Sequence, residues 1–241
     1  MKYLYKKKST EYKLAEVISI VSHQLKTPLA VIKGYLEVLI SEDLGKINPK
    51  QKEYLKNALE NTQRMIGLVK DLLDVSQIEE NKLEFKTRPS SLEEIIKETA
   101  KEFSYLSRAK NCTLSFKVLG KIPLLDIDPL KIKQVVTNII SNAIEYNKRR
   151  GSVEITLKRK GNNVLFSCKD TGVGVPRSDR KRVFTKFYRS ETAIALTPSG
   201  LGLGLFISKA IIEKSGGRIW FESEEGKGSK FCFTLPLRKP F

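Results

Sequence analysis

The chain has 241 residues, 40% of them apolar, enough for one large domain or two modest ones with real cores. Its formal net charge of +17 predicts attraction to anions (nucleotide phosphates, acidic protein surfaces, a membrane face or nucleic acid), although most of the lysines are expected simply to solvate helix faces. No run of roughly 18 apolar residues exists to span a bilayer, and the lysine-rich start lacks the apolar core of a signal peptide.

Residues 1–10 read as a tag-like or juxtamembrane beginning. From near Glu11 to about Asp43 the apolar series Leu14, Ile18, Val21, Leu25, Leu29, Ile32, Leu36 and Leu39 steps by three and four, the period of a long amphipathic helix. His23, the sole histidine, falls opposite that seam on the face shared by Ser19, Thr27 and Ala30. Pro28 predicts a bend just beyond it. Gly45 reads as a helix stop, Asn48 as an N-cap and Pro49 as a first helical residue. A second helix, to about Glu79, carries Leu55, Leu59, Thr62, Ile66, Val69, Leu72 and Leu73 on one stripe. Two such helices form an antiparallel hairpin that leaves apolar surface uncovered, so a homodimeric four-helix bundle is expected, with packing on the C-terminal domain as the competing arrangement.

From Asn81 the texture changes, which sets two domains, 1–80 and 81–241. Lys82–Lys86 is a strand candidate, Ser91 and Glu94 read as a capping box opening a helix to about Ser107, and Asn111–Leu119 alternates as a strand. Asp128-Pro129 opens a helix to Tyr146. Ser152–Lys158 and Val164–Lys169 flank a Gly161-Asn162 turn, Leu205–Ser215 is helical, and Arg218–Glu222 pairs with Lys230–Leu235. Strands and helices mix without strict alternation, so an α+β fold with a two-layer sandwich is predicted. Cys112, Cys168 and Cys232, odd in number and widely spaced, fit buried free thiols of a reducing compartment better than disulfides or a zinc cluster.

Three motifs carry chemistry in the second domain. Asn138 and Asn142 share a helix face, with Glu145 and Tyr146 beyond them. Amide oxygens there suit Mg²⁺ and amide nitrogens suit phosphate. Asp170-Thr171-Gly172-Val173-Gly174 follows a strand and offers a carboxylate to an exocyclic amine, with glycines for close approach to a flat ring. Gly200, Gly202, Leu203 and Gly204 run into a helix whose open N–H groups suit phosphates. Each alone has an ordinary structural reading; their order together is a strong signal.

His23-Gln24-Leu25-Lys26-Thr27-Pro28-Leu29 resembles the H box of bacterial sensor histidine kinases. Asn138–Tyr146 resembles their N box, Asp170–Gly174 the G1 box, Phe184–Arg189 the F box and Gly200–Gly204 the G2 box, in matching order from about Glu11 to Pro236. The resemblance implies a catalytic ATP-binding domain of the Bergerat type behind a dimerisation and phosphotransfer hairpin. It implies that His23 attacks ATP as a neutral imidazole and passes the phosphoryl group to an aspartate of a response regulator receiver domain. It assigns Mg²⁺ to Asn142, phosphate contacts to Asn138 and to Gly200, Gly202, Leu203 and Gly204, the adenine amine to Asp170, close approach to Gly172 and Gly174, and the pocket wall to Tyr146. Ser190–Ser199 becomes a lid and Arg189 a neutraliser of phosphate charge.

No transmembrane, PAS or HAMP-like segment precedes Glu11, so a catalytic core is expected, either cut from a longer, membrane-anchored sensor or naturally short. Gln24 stands where an acidic base is usual and cannot take the ring proton, while Thr27 matches the position that orients water for dephosphorylation. Glu145 replaces a lysine commonly found beside the nucleotide and is expected to weaken ATP binding unless Lys148 compensates. Leu201 replaces a small residue or threonine. Two rival readings follow: a phosphatase-dominant or kinase-impaired core, and a nucleotide-binding scaffold for nucleic acid. The dispersed lysines and the lack of any nucleic-acid motif argue against the latter.

Overall fold

The computed structural model describes residues 2–197 and 200–237, with the side chains of residues 2–17 and Ser19 excepted, so Leu14 and Ser19 fall outside the described side chains. The chain divides into two compact units, Met1–Leu83 and Glu84–Phe241.

The first unit is a helical hairpin of α1 (Lys2–Ser41) and α2 (Pro49–Glu79). α1 starts well before Glu11 and includes Pro28 without interruption. It also stops earlier than the glycine suggests. Glu42 takes the left-handed conformation at φ 65 while its carboxylate holds Lys52 at 2.7 Å, and Gly45 closes the following turn onto the Glu42 carbonyl at 3.1 Å. α2 opens as expected: Asn48 accepts from the Gln51 N–H and the Gln51 side chain accepts from the Asn48 N–H, both at 2.8 Å.

The apolar band of α1 is wider than one seam. Ser22 and Leu29 are buried, with Leu36 and Ile40 half-buried, whereas Val21 (49% exposed), Leu25, Ile32, Tyr35 and Leu39 stand open. One partner helix covers only part of an apolar stripe this wide.

The second unit contains β1 (Arg88–Ser90), α3 (Leu92–Glu102), α4 (Ser104–Ala109), β2 (Thr113–Leu119), β3 (Leu125–Ile127), α5 (Pro129–Glu145), β4 (Ser152–Lys160), β5 (Asn163–Asp170), α6 (Glu191–Leu196), α7 (Gly204–Lys214), β6 (Arg218–Glu224) and β7 (Gly228–Pro236). Five strands form one sheet in the order β2-β4-β5-β7-β6; β2 and β4 are parallel and the other pairs antiparallel. β1 and β3 make a separate antiparallel pair. The strand expected at Lys82–Lys86 does not form, because the Lys86 N–H is captured by the Asp128 carboxylate at 2.8 Å. The helix from Ser91 breaks at Phe103 into α3 and α4; in its last turn the Thr99 hydroxyl bonds back to the Ile95 carbonyl at 2.7 Å, a contact that bends helices. Ser91 caps the Glu94 N–H at 3.1 Å.

α3, α5 and α7 lie side by side on one sheet face. They bury Val153, Ile155 and Leu157 of β4, Phe166 and Cys168 of β5, and Phe233 of β7, with Phe166 and Phe233 stacked at 4.6 Å. The outward positions alternate with these as Glu154, Thr156, Lys158, Ser167 and Lys169, giving the predicted two-layer sandwich. All three cysteines are free and buried. Among the described residues no helix is long and apolar enough to cross a membrane.

Candidate active site

Asp128 starts α5 by accepting from the N–H groups of Leu130 (3.0 Å) and Lys131 (3.1 Å). The buried stripe Ile132, Val135, Val136, Ile139, Ile140 and Ala143 then fixes the rotation of the helix, so Asn138 and Asn142 sit half-buried at its edge. The Asn138 amide donates to Ser208 Oγ on α7 at 3.0 Å and accepts from Asn142 at 3.4 Å. Asn142 keeps its amide oxygen without a protein partner among the described residues. A Cβ on Gly204 would lie 2.2 Å from Asn138 Oδ1, so the first residue of α7 must be glycine for the two helices to meet here. Leu203, 1% exposed, anchors the loop and gives no side-chain cap, which leaves the first N–H groups of α7 open to an anion.

Asp170 ends β5 with its side chain buried. Its Oδ1 accepts from the N–H groups of Gly172 (2.8 Å) and Ser229 (3.1 Å). Burial raises its pKa above the usual carboxylate range, and those two N–H groups oppose the rise. The other carboxylate oxygen has no protein partner among the described residues.

The glycines here also serve the fold itself. A Cβ on Gly172 would meet the Tyr146 carbonyl at 2.3 Å, and one on Gly174 the Glu224 carbonyl at 2.1 Å. They let the loop pass against protein backbone, and the Val173 N–H bonds the Tyr146 carbonyl at 3.1 Å in the process. Gly202 packs in the same way against Tyr188, 2.6 Å from its carbonyl to a built Cβ.

Arg189 is engaged within its own loop. Its guanidinium donates to the carbonyls of Ala193 (2.9 Å), Gly200 (3.2 Å) and Thr197. The lid segment contains the short helix α6, capped by Ser190, while Pro198 and Ser199 lie outside the described residues. Tyr146 and Glu145 are half-buried, and Lys148 reaches across to the Gly226 carbonyl. Sequence reasoning missed Ser208, Ser229 and Gly228. A Cβ on Gly228, at φ +110, would strike the Asp170 carbonyl at 2.2 Å. The two glycines at 226 and 228, between the expected strands Arg218–Glu222 and Lys230–Leu235, are the available signal.

On α1, His23, Gln24 and Thr27 are all exposed, and His23 directly follows buried Ser22. Among the described residues no cluster of His, Cys, Asp or Glu could hold a metal.

Two domain families match. The His Kinase A (phospho-acceptor) domain covers residues 13–81, and the histidine kinase-, DNA gyrase B-, and HSP90-like ATPase family covers 127–239. The catalytic domain of the histidine kinase ThkA is 30% identical, with a TM-score of 0.56 over 65% of this chain and 97% of that one. The chain belongs to the sensor histidine kinases. Its second unit is an ATP-binding domain of the Bergerat type. The kinase is 31% identical over 223 residues to the circadian input-output histidine kinase CikA of Synechococcus elongatus, matching 92% of this chain and 30% of that protein. It thus spans about a third of the length of this curated relative. Full-length ShkA, solved in complex with AMPPNP, is 26% identical with a TM-score of 0.75 over 93% of this chain and 46% of that one. ThkA has also been solved in complex with the response regulator protein TrrA, at 25% identity and a TM-score of 0.61 over 98% of this chain and 66% of that one.

Proposed function

We propose that the kinase phosphorylates its own His23 from ATP and passes the phosphoryl group to an aspartate of a response regulator receiver domain. The observation that carries this reading is the meeting of three motifs: buried Asp170 held by two N–H groups, Asn138 seated on Gly204, and the uncapped start of α7 beside them. In that frame the second oxygen of Asp170 accepts from the adenine amine. The N–H groups of Gly202, Leu203 and Gly204 receive the phosphates, with Gly200 at the loop's start. Tyr146 lines the pocket. Asn138 orients Asn142, whose unpartnered amide oxygen is the hard donor that Mg²⁺ takes. Mg²⁺, when bound there, offsets phosphate charge. Arg189, bonded to three carbonyls, holds the lid and carries its positive charge with it.

His23 attacks from an exposed position: the bond from the γ-phosphorus to the ADP oxygen breaks as the bond to the ring nitrogen forms. Gln24 hydrogen-bonds but cannot take the ring proton, so another acceptor serves. Thr27 is the group placed to orient water when a phosphorylated regulator is hydrolysed. The open apolar stripe of Val21, Leu25, Ile32 and Leu39 fits a second copy of α1 and α2 in a four-helix homodimer. Free buried thiols and the use of ATP fit a cytoplasmic setting.

Incubation with γ-labelled ATP and Mg²⁺, beside His23→Ala, tests the proposal. Label that is acid-labile and alkali-stable on the parent, and absent from a variant that still binds ATP, is expected. Label persisting on His23→Ala, or absent from a parent that binds ATP, overturns it.

A further inference from the structure

β2 is an edge of the five-stranded sheet and, among the described residues, pairs only with β4. Thr113 lies opposite Ser152, and its N–H bonds the Gly151 carbonyl at 2.9 Å. Backbone groups alternate in direction along a strand, so Ser115 and Lys117 also bond toward β4, while Leu114, Phe116 and Val118 turn N–H and C=O to the open side. A row of free groups like this is a template for one more strand. Beside it, α3 and α4 leave a groove of about 580 Å³ lined by Leu114 and Phe116 of the strand and by Ala100 of the helix.

The helical wall of the groove is cationic. Lys97, Lys101 and Arg108 recur along it at steps of four and seven. Two of the four carboxylates of α3 are directed elsewhere: Glu102 pairs with Lys133 of α5 at 2.6 Å, and Glu98 adds to the field that raises the Lys133 pKa after that hydrogen bond. Lys97 and Lys101 have no ion-pair partner among the described residues. Lysines that merely protect an edge against aggregation sit on the strand, as Lys117 does, and there the charge is already answered by Glu154 at 3.3 Å.

We infer that the groove between β2 and α3–α4 docks an extended acidic segment of a partner protein. The segment adds as a strand along Leu114–Val118, and its alternate residues, which share the groove-facing side, seat an apolar side chain on Leu114 and Phe116 and set carboxylates against Lys97, Lys101 and Arg108. The site uses none of the residues assigned to ATP.

The test titrates the ¹⁵N-labelled chain with a capped hexapeptide that carries glutamate, valine and glutamate at its first, third and fifth positions and serine between them, and separately with the counterpart in which lysine replaces glutamate. Saturable shifts and slowed exchange at the Leu114, Phe116 and Val118 amides are expected with the glutamate peptide alone. The exposed pair Lys97→Glu/Lys101→Glu should weaken that binding at least ~10-fold while ATP affinity stays as in the parent. Amides that do not move, or that move equally with the lysine peptide or in the double variant, overturn the inference. So does equal affinity for anionic phospholipid vesicles that moves only lysine resonances, which marks a general anion surface.

Discussion

Replacing Asp170 by Asn separates the two tasks of this side chain. Oδ1 accepts from Gly172 at 2.8 Å and Ser229 at 3.1 Å, and an asparagine oxygen retains both bonds. The second oxygen becomes an NH₂ group, so a donor faces the adenine amine. A hydrogen bond to a charged group is worth ~1.5–3 kcal/mol, which sets the loss of ATP affinity at roughly tenfold to a hundredfold. Stability should move the other way. Burial raises the pKa of Asp170, so the ionised carboxylate is a cost to the folded state at neutral pH, and Asn removes that cost. The melting temperature of Asp170→Asn at pH 7.5 should therefore hold or rise. Asp170→Ala, which orphans two amides at about 1–3 kcal/mol each, should lower it. Calorimetric titration and thermal melts of both variants give the two readouts. Purine riboside triphosphate, lacking the 6-amino group, should bind the parent and Asp170→Asn alike. If Asp170→Asn binds ATP like the parent, or loses both nucleotides by one factor, the carboxylate does not read the amine.

Gly228→Ala places a Cβ 2.2 Å from the Asp170 carbonyl at φ +110, against backbone that cannot swing away. Urea denaturation should show a loss of about 2 kcal/mol or more, with ATP affinity falling as the Ser229 N–H shifts. Gly204→Ala meets a side chain instead, Asn138 Oδ1 at 2.2 Å. Asn138 should lose its bond to Ser208, and ATP affinity should fall several-fold with a smaller change in melting temperature; the reverse pattern would refute the pairing of Asn138 with the glycine loop. On α2, burial first and the Asp74 carboxylate second push the Asp71 pKa to about 6, against the pull of Lys70. The folded state then holds the proton more tightly than the unfolded one, so stability from this group is full below ~4 and is lost as pH rises through about 6, to at most ~3 kcal/mol. Asp71→Asn should raise the melting temperature at pH 7.5 and leave it unchanged near pH 4; an equal gain at both refutes the burial argument.

What could be read in advance was whatever depends on neighbours along the chain. The Asn48 cap, the Asp128 cap and the Gly161 turn each act over two or three residues, and all stand in the structure. So do the β4–β5 and β6–β7 pairings, which long alternating runs specify. The pairing of Arg88–Ser90 with Leu125–Ile127 was hidden because three residues are too few to show a period. Lys82–Lys86 misled because local alternation competes with a bond to Asp128, 42 residues away. Within the site, Asp170 and Asn138 were recognisable, but their partners Ser229 and Ser208 lie 59 and 70 residues off, and serine carries no motif of its own. The apolar series of α1 was legible as a band, yet nothing in its period divides Leu29, which α2 covers, from Leu25, which stays open.

The contacts of the glycines divide the nucleotide site into two halves. Gly172, Gly174 and Gly228 each touch backbone so closely that no Cβ fits, and the contacts of Gly172 and Gly228 include Asp170. The end proposed to read the base is therefore built by the chain's own backbone contacts, and its ordering is part of folding. At the proposed phosphate end Gly202 and Gly204 are packed as closely, but Gly200, at φ +121, meets nothing nearer than Arg189 at 4.0 Å among the described residues, and the backbone around it is held by the bonds of that guanidinium. On the proposed assignment, the Asp170 end would fix which base binds, while the loop at Gly200 would leave the phosphate contacts dependent on the position of Arg189.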